Sequence, residues 1–251
     1  MHDKGLDPST LTAIITGGTT GIGRATAREL ADRGYNLLLV GQEDPYLLER
    51  ELLDRGAIAR FMQADLIRAE EAAKQIVAAA LEIFHRIDLV VNCAGVISHK
   101  DVEEVTEKDW DRIFAVNLKA PFFLAQQAFP HLELTRGNII NVSSTNAIRP
   151  ASRNQLYDSL KAALNNLTQG LALDFRDSGV RVNAVMPGGV RTALSEEWLH
   201  KYLGRAPVKA DFDIPSLAQP EQIATVIAAL ASKDMAWVNG VTLAADGGFG
   251  L

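Results

Sequence analysis

Short apolar runs recur along the chain, and longer stretches with helical spacing fill the gaps between them. The runs fall at residues 11–15, 36–40, 57–62, 87–91, 138–142, 180–185 and 241–244. Several show no alternation, as in Leu37-Leu38-Leu39-Val40 and Leu89-Val90-Val91. Strands covered on both faces have this pattern, so the runs predict a parallel sheet clothed by helices. Helical spacing marks 21–33, 68–85, 108–131 and 155–177. In the first of these, Ile22, Ala25, Leu30 and Ala31 share one side, and Gly34 follows where a glycine commonly ends a helix. The βαβα alternation with short links predicts an α/β, doubly wound fold. No linker or composition shift divides the chain. Residues 11–251 are therefore expected to form a single domain behind a flexible tail at 1–10. One long irregular stretch, 204–220, contains Pro207, Pro215 and Pro220, and its length predicts a lid or binding loop.

Composition narrows the function. The 251 residues are 47% hydrophobic, enough for one sizeable core. A net charge of −6 with both signs mixed gives no basic block, so neither nucleic acid nor an anionic membrane is expected as a partner. Cys93 is the only cysteine, which excludes an intrachain disulfide and suits a reducing compartment. The polar start lacks an apolar signal core, and no apolar run is long enough to span a bilayer. The expected location is the cytoplasm. His2, His85, His99, His131 and His200 show no ligand spacing, and no catalytic metal is expected.

Two groups of residues carry chemistry. The first is the turn Thr16-Gly17-Gly18-Thr19-Thr20-Gly21-Ile22-Gly23, between the first run and the first helix. Glycines there let backbone N–H groups approach a diphosphate, and the positive helix end faces its charge. The turn alone is also compatible with an ordinary strand-to-helix link. Further contacts are expected where later strands end. Asp65-Leu66 follows the third run, Asn92-Cys93-Ala94-Gly95 the fourth, and Pro187-Gly188-Gly189-Val190-Arg191-Thr192 the sixth. The second group is Tyr157 and Lys161, four apart on one helix face, with Ser144 thirteen residues before the tyrosine. The ammonium is expected to favour phenolate, and the serine hydroxyl to hold a substrate oxygen. Cys93 reads as a small packing residue. Leu194, Trp198, Leu199, Tyr202 and Leu203 form an apolar stripe read as a substrate lid, with simple packing as the alternative. Arg149, Arg153, Asn154 and Gln155 either bind polar substrate groups or are solvated.

With these motifs in order, the chain resembles the classical short-chain dehydrogenase/reductase family from about Leu11 onward. Residues 16–23 match its cofactor turn, and 92–95 match its N-N-A-G with Cys93 for the second Asn. Asn117, in Phe114-Ala115-Val116-Asn117-Leu118-Lys119, matches the active-site Asn. Ser144, Tyr157 and Lys161 match the rest of a catalytic tetrad. The resemblance implies a Rossmann-type sheet in the order 3-2-1-4-5-6-7 with helices on both faces. It implies Tyr157 as the general acid in reduction and base in oxidation. Lys161 would lower its pKa and bind the nicotinamide ribose, Ser144 would orient the carbonyl, and Asn117 would hold a water on the proton path. The implied reaction is hydride transfer between NAD(P)(H) and a secondary alcohol or ketone: a 3-oxoacyl thioester, a sugar or polyol, or another small carbonyl compound. The alternative is a non-catalytic dinucleotide-binding scaffold or sensor.

Departures from the family bear on the cofactor. Leu160 stands where Ser is common before the Lys. At the end of the second strand, Gly41 lacks the acidic side chain that favours NAD, and Gln42 lacks the Arg that favours NADP. Thr20 lacks the basic side chain of some NADP-dependent members. With no evident cation for a 2′-phosphate, the reading leans to NAD(H) over NADP(H). Helices 108–131 and 155–177 carry apolar residues, including Trp110, Phe114, Phe122 and Leu173, over more of their surface than one sheet contact needs. Such faces mark an interface, and in the resembling family this helix pair meets its copy, so a homotetramer is expected, with a homodimer as the alternative.

Overall fold

The computed structural model describes Asp7 and residues 9–43, 45–195 and 217–248. Seven strands form one sheet: β1 Thr12–Thr16, β2 Asn36–Gly41, β3 Ala59–Gln63, β4 Leu89–Asn92, β5 Asn138–Val142, β6 Arg181–Pro187 and β7 Thr242–Ala245. Their order is β3-β2-β1-β4-β5-β6-β7. Every neighbouring pair is parallel. The expected fold and strand order are both present, and the strands lie within two residues of the apolar runs.

Helices cover both faces. On one side α1 (Gly21–Asp32), α2 (Tyr46–Asp54) and α7 (Pro220–Ala231) pack Leu30, Leu52 and Ile227 onto Ile15, Leu39 and Val91. On the other, α3 (Ala69–Phe84), α5 (Ala120–Thr135) and α6 (Gln155–Asp174) pack Ile76, Leu124 and Leu171 onto Ile14, Leu38 and Val90. Consecutive strand residues point to opposite faces, so a strand covered twice must be apolar throughout. Gly34 adopts φ +82 behind α1, while the Tyr35 and Gly34 N–H groups bond the Leu30 and Ala31 carbonyls. This is a glycine-terminated helix end of the expected kind.

Three differences from the sequence reading have physical causes. The segment expected as one helix at 108–131 is α4 (Glu107–Phe114), a π turn at Ala115–Lys119, and then α5. The chain after it is apolar on most sides, as in Phe122-Phe123-Leu124-Ala125, so the change of phase that the extra residue brings leaves no mark in the pattern. Helix α2 buries only Leu48 and Leu52 and exposes Tyr46, Leu47 and Leu53, which gives it a poor amphipathic signature. Helix α7 starts at Pro220 itself, a residue well suited to the first helical turn, at the point the irregular stretch was expected to end. Most of that stretch, the Trp198–Leu203 part of the apolar stripe and most of the tail lie outside the described residues. Within the tail, the Ser9 carbonyl accepts from Arg86.

At the edge where the strands begin, Asp88 joins three segments. Its carboxylate accepts from the Thr12 N–H at 2.8 Å and from Arg86 Nε and Nη2 at 2.8 and 2.7 Å. Asp88 is 7% exposed. Replacing it by alanine leaves a buried donor unsatisfied and removes the carboxylate beside Arg86. Asp88→Ala should lower unfolding free energy by about 3 kcal/mol. In urea titrations its midpoint should fall while cofactor binding, at the opposite edge, stays unchanged; an unshifted midpoint would refute this.

Candidate active site

At the other edge the strands end together, with Thr16 beside Asn92, Asn92 beside Asn141 and Val142 beside Val185. The Thr16 hydroxyl accepts from the Cys93 and Ala94 N–H groups, each at 3.2 Å, and fixes the turn after β4 to the end of β1. The glycine turn is close-packed. Gly17 has φ +66, and a Cβ there would meet Ala94 at 2.9 Å. A Cβ on Gly23 would collide with the Gly17 carbonyl. Ile22 packs its side chain on the core, so only its backbone faces the turn. Helix α1 has no side-chain cap from Thr20 and no acidic residue in its first turn. Its positive end is thus left for an anion, and the turn fits a dinucleotide diphosphate. Thr192 comes to this turn from beyond β6: a Cβ on Gly21 would lie 3.1 Å from its Cγ2.

The proposed catalytic residues converge. Asn117 is buried on the π turn, where its Oδ1 accepts from the Val96 N–H at 3.0 Å and its Nδ2 donates to the Val96 carbonyl at 2.7 Å. A Cβ on Gly95 would lie 3.4 Å from Asn117 Oδ1 and 3.9 Å from Lys161 Nζ. Lys161 is buried, with Nζ donating to the Val142 carbonyl at 2.7 Å and standing 5.5 Å from the Tyr157 ring centre. Ser143 Oγ donates to the Lys161 carbonyl at 3.1 Å. The Ser144 hydroxyl lies close enough to the Tyr157 phenol to favour its ionised form.

Burial pushes the Tyr157 phenol up to about 12, while the Ser144 hydroxyl works downward. Burial also pulls the Lys161 ammonium down to about 8. At neutral pH the tyrosine therefore holds its proton and is a donor. The half-buried Cys93 thiol is pushed up to about 12 by burial and stays neutral, consistent with a packing role.

Other candidate cofactor residues divide into those at the cleft and those engaged elsewhere. Leu66, Asn92 and Ala94 line one cavity with Thr16 and Val116. Asp65 is exposed, and its carboxylate accepts from the Ile67 N–H at 3.0 Å, capping its own short turn. Gln42 is exposed, with Nε2 donating to the Ala64 carbonyl at 2.7 Å. A Cβ on Gly41 would come within 2.7 Å of Thr19 Oγ1. Pro187 accepts from Thr145 Oγ1 at 3.3 Å, and Gly188 abuts Asp246. Val190 bridges to Ala218. Arg153 pairs with Asp101 at 2.8 Å, so at least one loop cation is engaged within the protein.

Sequence reasoning missed the supports of the site. Asn92 Nδ2 donates to Asn141 Oδ1, and Asn141 Nδ2 to Thr168 Oγ1, which links β4, β5 and α6. A polar Asn141 inside an apolar strand, and Thr168 seven residues after Lys161 on its helix face, were the available signals. Asn146 and Asp158 were missed as well.

The family model described as enoyl-(acyl carrier protein) reductase matches residues 17–250. A probable tetrahydroxynaphthalene reductase of Zymoseptoria tritici is 30% identical over 248 residues, covering 94% of this chain and 92% of its own. Glucose 1-dehydrogenase 2 of Bacillus subtilis is 32% identical over 251 residues, covering 96% and 95%. The crystal structure of a levodione reductase superposes with a TM-score of 0.89 at 28% identity, covering 98% of this chain and 99% of that one. The chain belongs to the short-chain dehydrogenase/reductase family. It is an NAD(P)-dependent oxidoreductase acting on CH–OH groups. Among the described residues no helix is long and apolar enough to cross a membrane.

The strand-end geometry yields a test of cofactor choice. Gln42→Arg gives up the bond to Ala64 and places a cation at the exposed end of β2. It should raise kcat/KM for NADP(H) relative to NAD(H) about tenfold. Gly41→Asp forces Thr19 aside and should weaken both cofactors together instead of sorting them. Steady-state kinetics with each cofactor checks both variants; a clean gain of NAD(H) preference in Gly41→Asp would contradict the packing argument.

Proposed function

We propose that Asn117, Ser144, Tyr157 and Lys161 move the proton that accompanies hydride transfer between a ketone and its secondary alcohol. The observation that carries this reading is the convergence of three side chains: Tyr157 close to the Ser144 hydroxyl, and the buried Lys161 ammonium 5.5 Å from the tyrosine ring centre. A bound nicotinamide supplies or accepts the hydride. Tyr157 gives its proton to the carbonyl oxygen as negative charge grows there. Ser144 steadies that oxygen and the phenol together. Lys161 offers positive charge beside the site, and Asn117 shapes the wall next to Gly95.

The residues proposed to hold the cofactor are Gly17, Thr19, Thr20, Gly21, Ile22 and Gly23 at the diphosphate. Gly41, Gln42, Asp65 and Leu66 would serve the adenosine end. Asn92, Ala94, Gly95, Tyr157, Lys161, Pro187, Gly188, Val190 and Thr192 would serve the nicotinamide end. We read the cofactor as NAD(H) before NADP(H), because Gly41, Gln42 and Glu43 offer a 2′-phosphate no basic side chain. Names of relatives span a hydroxylated naphthalene, glucose and levodione, which supports a small carbonyl compound or polyol as substrate.

We further propose that residues 11–251 act as one catalytic domain in the cytoplasm, assembled as a homotetramer, with a homodimer as the smaller form. Trp110 (50% exposed), Phe114 and Phe122 on α4 and α5, and Leu173 (63%) on α6, support a partner surface. Trp237, 100% exposed, supports a second.

Tyr157→Phe should fold and bind cofactor as before, with kcat on a ketone panel about 10²–10⁴-fold lower. The loss is read by the absorbance of the reduced cofactor, and near-normal turnover would overturn the mechanism. Light scattering should give a mass of about four times the 27.2 kDa chain; a monomer would remove the assembly proposal and leave the chemistry standing.

A further inference from the structure

The ten residues 145–154 open with the 3₁₀ turn Thr145–Ala147 next to Ser144 and lead into α6, which carries Tyr157. Something must hold this loop if the serine hydroxyl is to stay on the phenol. Asp158, the residue after Tyr157, is 4% exposed. Its Oδ1 accepts from Asn146 Nδ2 at 2.9 Å, and its Oδ2 accepts from the Ala151 N–H at 2.7 Å. The Asn146 N–H in turn donates to Ser144 Oγ at 3.1 Å. One side chain on the first turn of α6 thus grips the serine's loop at two points, and the gripped asparagine touches the serine hydroxyl itself.

The choice of residue fits the task. Two N–H donors converge on this point, and only a carboxylate presents an acceptor to each. An amide would satisfy both only if the Asn146 side chain turned over to present its oxygen. Both partners are neutral, so the carboxylate is buried at a desolvation cost that a plain packing contact would avoid. Burial raises its pKa accordingly, while His99, in the segment after β4, works the other way.

We propose that Asp158 and Asn146 are positioning residues for proton transfer: the Asp158 carboxylate clamps the loop following Ser144 to the first turn of α6, and Asn146 passes that constraint to the serine hydroxyl. The proposal rests on the reading of Ser144 and Tyr157 as the proton-transferring pair. It predicts that the pair fails in orientation while cofactor binding is spared, since neither Asn146 nor Asp158 is among the residues proposed to hold the cofactor.

The test uses Asn146→Ala, Asn146→Asp and the double exchange N146D/D158N in the full chain, each followed by ketone-reduction kinetics and a crystal structure. Asn146→Asp sets a second carboxylate against Asp158. In the double variant the new amide at 158 accepts from the Ala151 N–H and donates to the new carboxylate at 146, so both contacts return with their polarity exchanged. Each single variant should lower kcat about 10–100-fold with cofactor KM within about twofold, since small misplacements of a reacting group have effects of this size. The double variant should recover to within about fivefold of the parent. Normal kcat in Asn146→Ala, or a double variant no better than Asn146→Asp, would overturn the clamp. So would an equal loss in kcat and cofactor binding, the mark of a merely structural role. If Asn146→Asp does not fold, Asn146→Ala decides on the same criteria. If the parent reduces no ketone, the proposed function fails separately, and the crystal structures decide the clamp: Ser144 Oγ off the Tyr157 phenol in Asn146→Ala supports it, and an unmoved serine refutes it.

Discussion

The site depends on an ammonium held out of water. Lys161 Nζ bonds the last carbonyl of β5, and the lysine's own carbonyl accepts from Ser143, the residue just beyond that strand. Helix α6 is thereby stitched at both ends of one residue to the strand end that carries Ser144. Tyr157 lies one turn back on the same helix, so its height above Ser144 follows from where Lys161 is tied. The tie is costly: the drop of the ammonium to about 8 corresponds to roughly 3 kcal/mol of lost preference for charge. The Asn92–Asn141–Thr168 chain spreads the same connection across β4 and β5. A helix fixed so firmly can present a phenol whose proton stays on until a substrate oxygen takes it.

The burial that keeps Tyr157 protonated also separates two demands on the residue. Reduction needs a donor, which a phenol near 12 supplies at neutral pH. Oxidation needs a base, and the same environment resists forming one. The positive charges within reach therefore matter more in one direction than in the other. The sequence shows which charges are four residues apart, but it does not show how dry the space between them is.

The fold was legible because a doubly covered parallel sheet writes itself as uninterrupted apolar runs, and those runs need no long-range information to be found. Helix α2 was illegible because it buries two leucines and shows three apolar residues to solvent. The π turn was illegible because the helix after it, with Phe122-Phe123-Leu124-Ala125 in succession, is apolar on most sides and hides a change of phase. In the site, Tyr157, Lys161, Ser144 and the glycine turn were legible by type and spacing. Asn117 came only with the family resemblance. Asn146 and Asp158 were not legible, since a loop's contacts depend on its path, and Asn and Asp are common in loops for local reasons.

Gly41 shows how packing can masquerade as specificity. By resemblance, the missing acidic side chain there reads as a statement about the cofactor ribose. In the structure the position lies against Thr19, in the very turn that approaches the diphosphate, and a Cβ would press on that threonine before it reached a ligand. A side chain at 41 must therefore displace that of Thr19, at the contact between the end of β2 and the glycine turn. A residue constrained by one neighbour carries little information about another. Discrimination between the two cofactors must instead come from groups free to point outward, and among 41–43 the exposed Gln42 and Glu43 are those groups. Neither welcomes a phosphate as it stands, and Gln42 is already turned back onto Ala64. The proposed preference for NAD(H) rests on the lack of a cation at these positions, and no carboxylate that selects the ribose enters it.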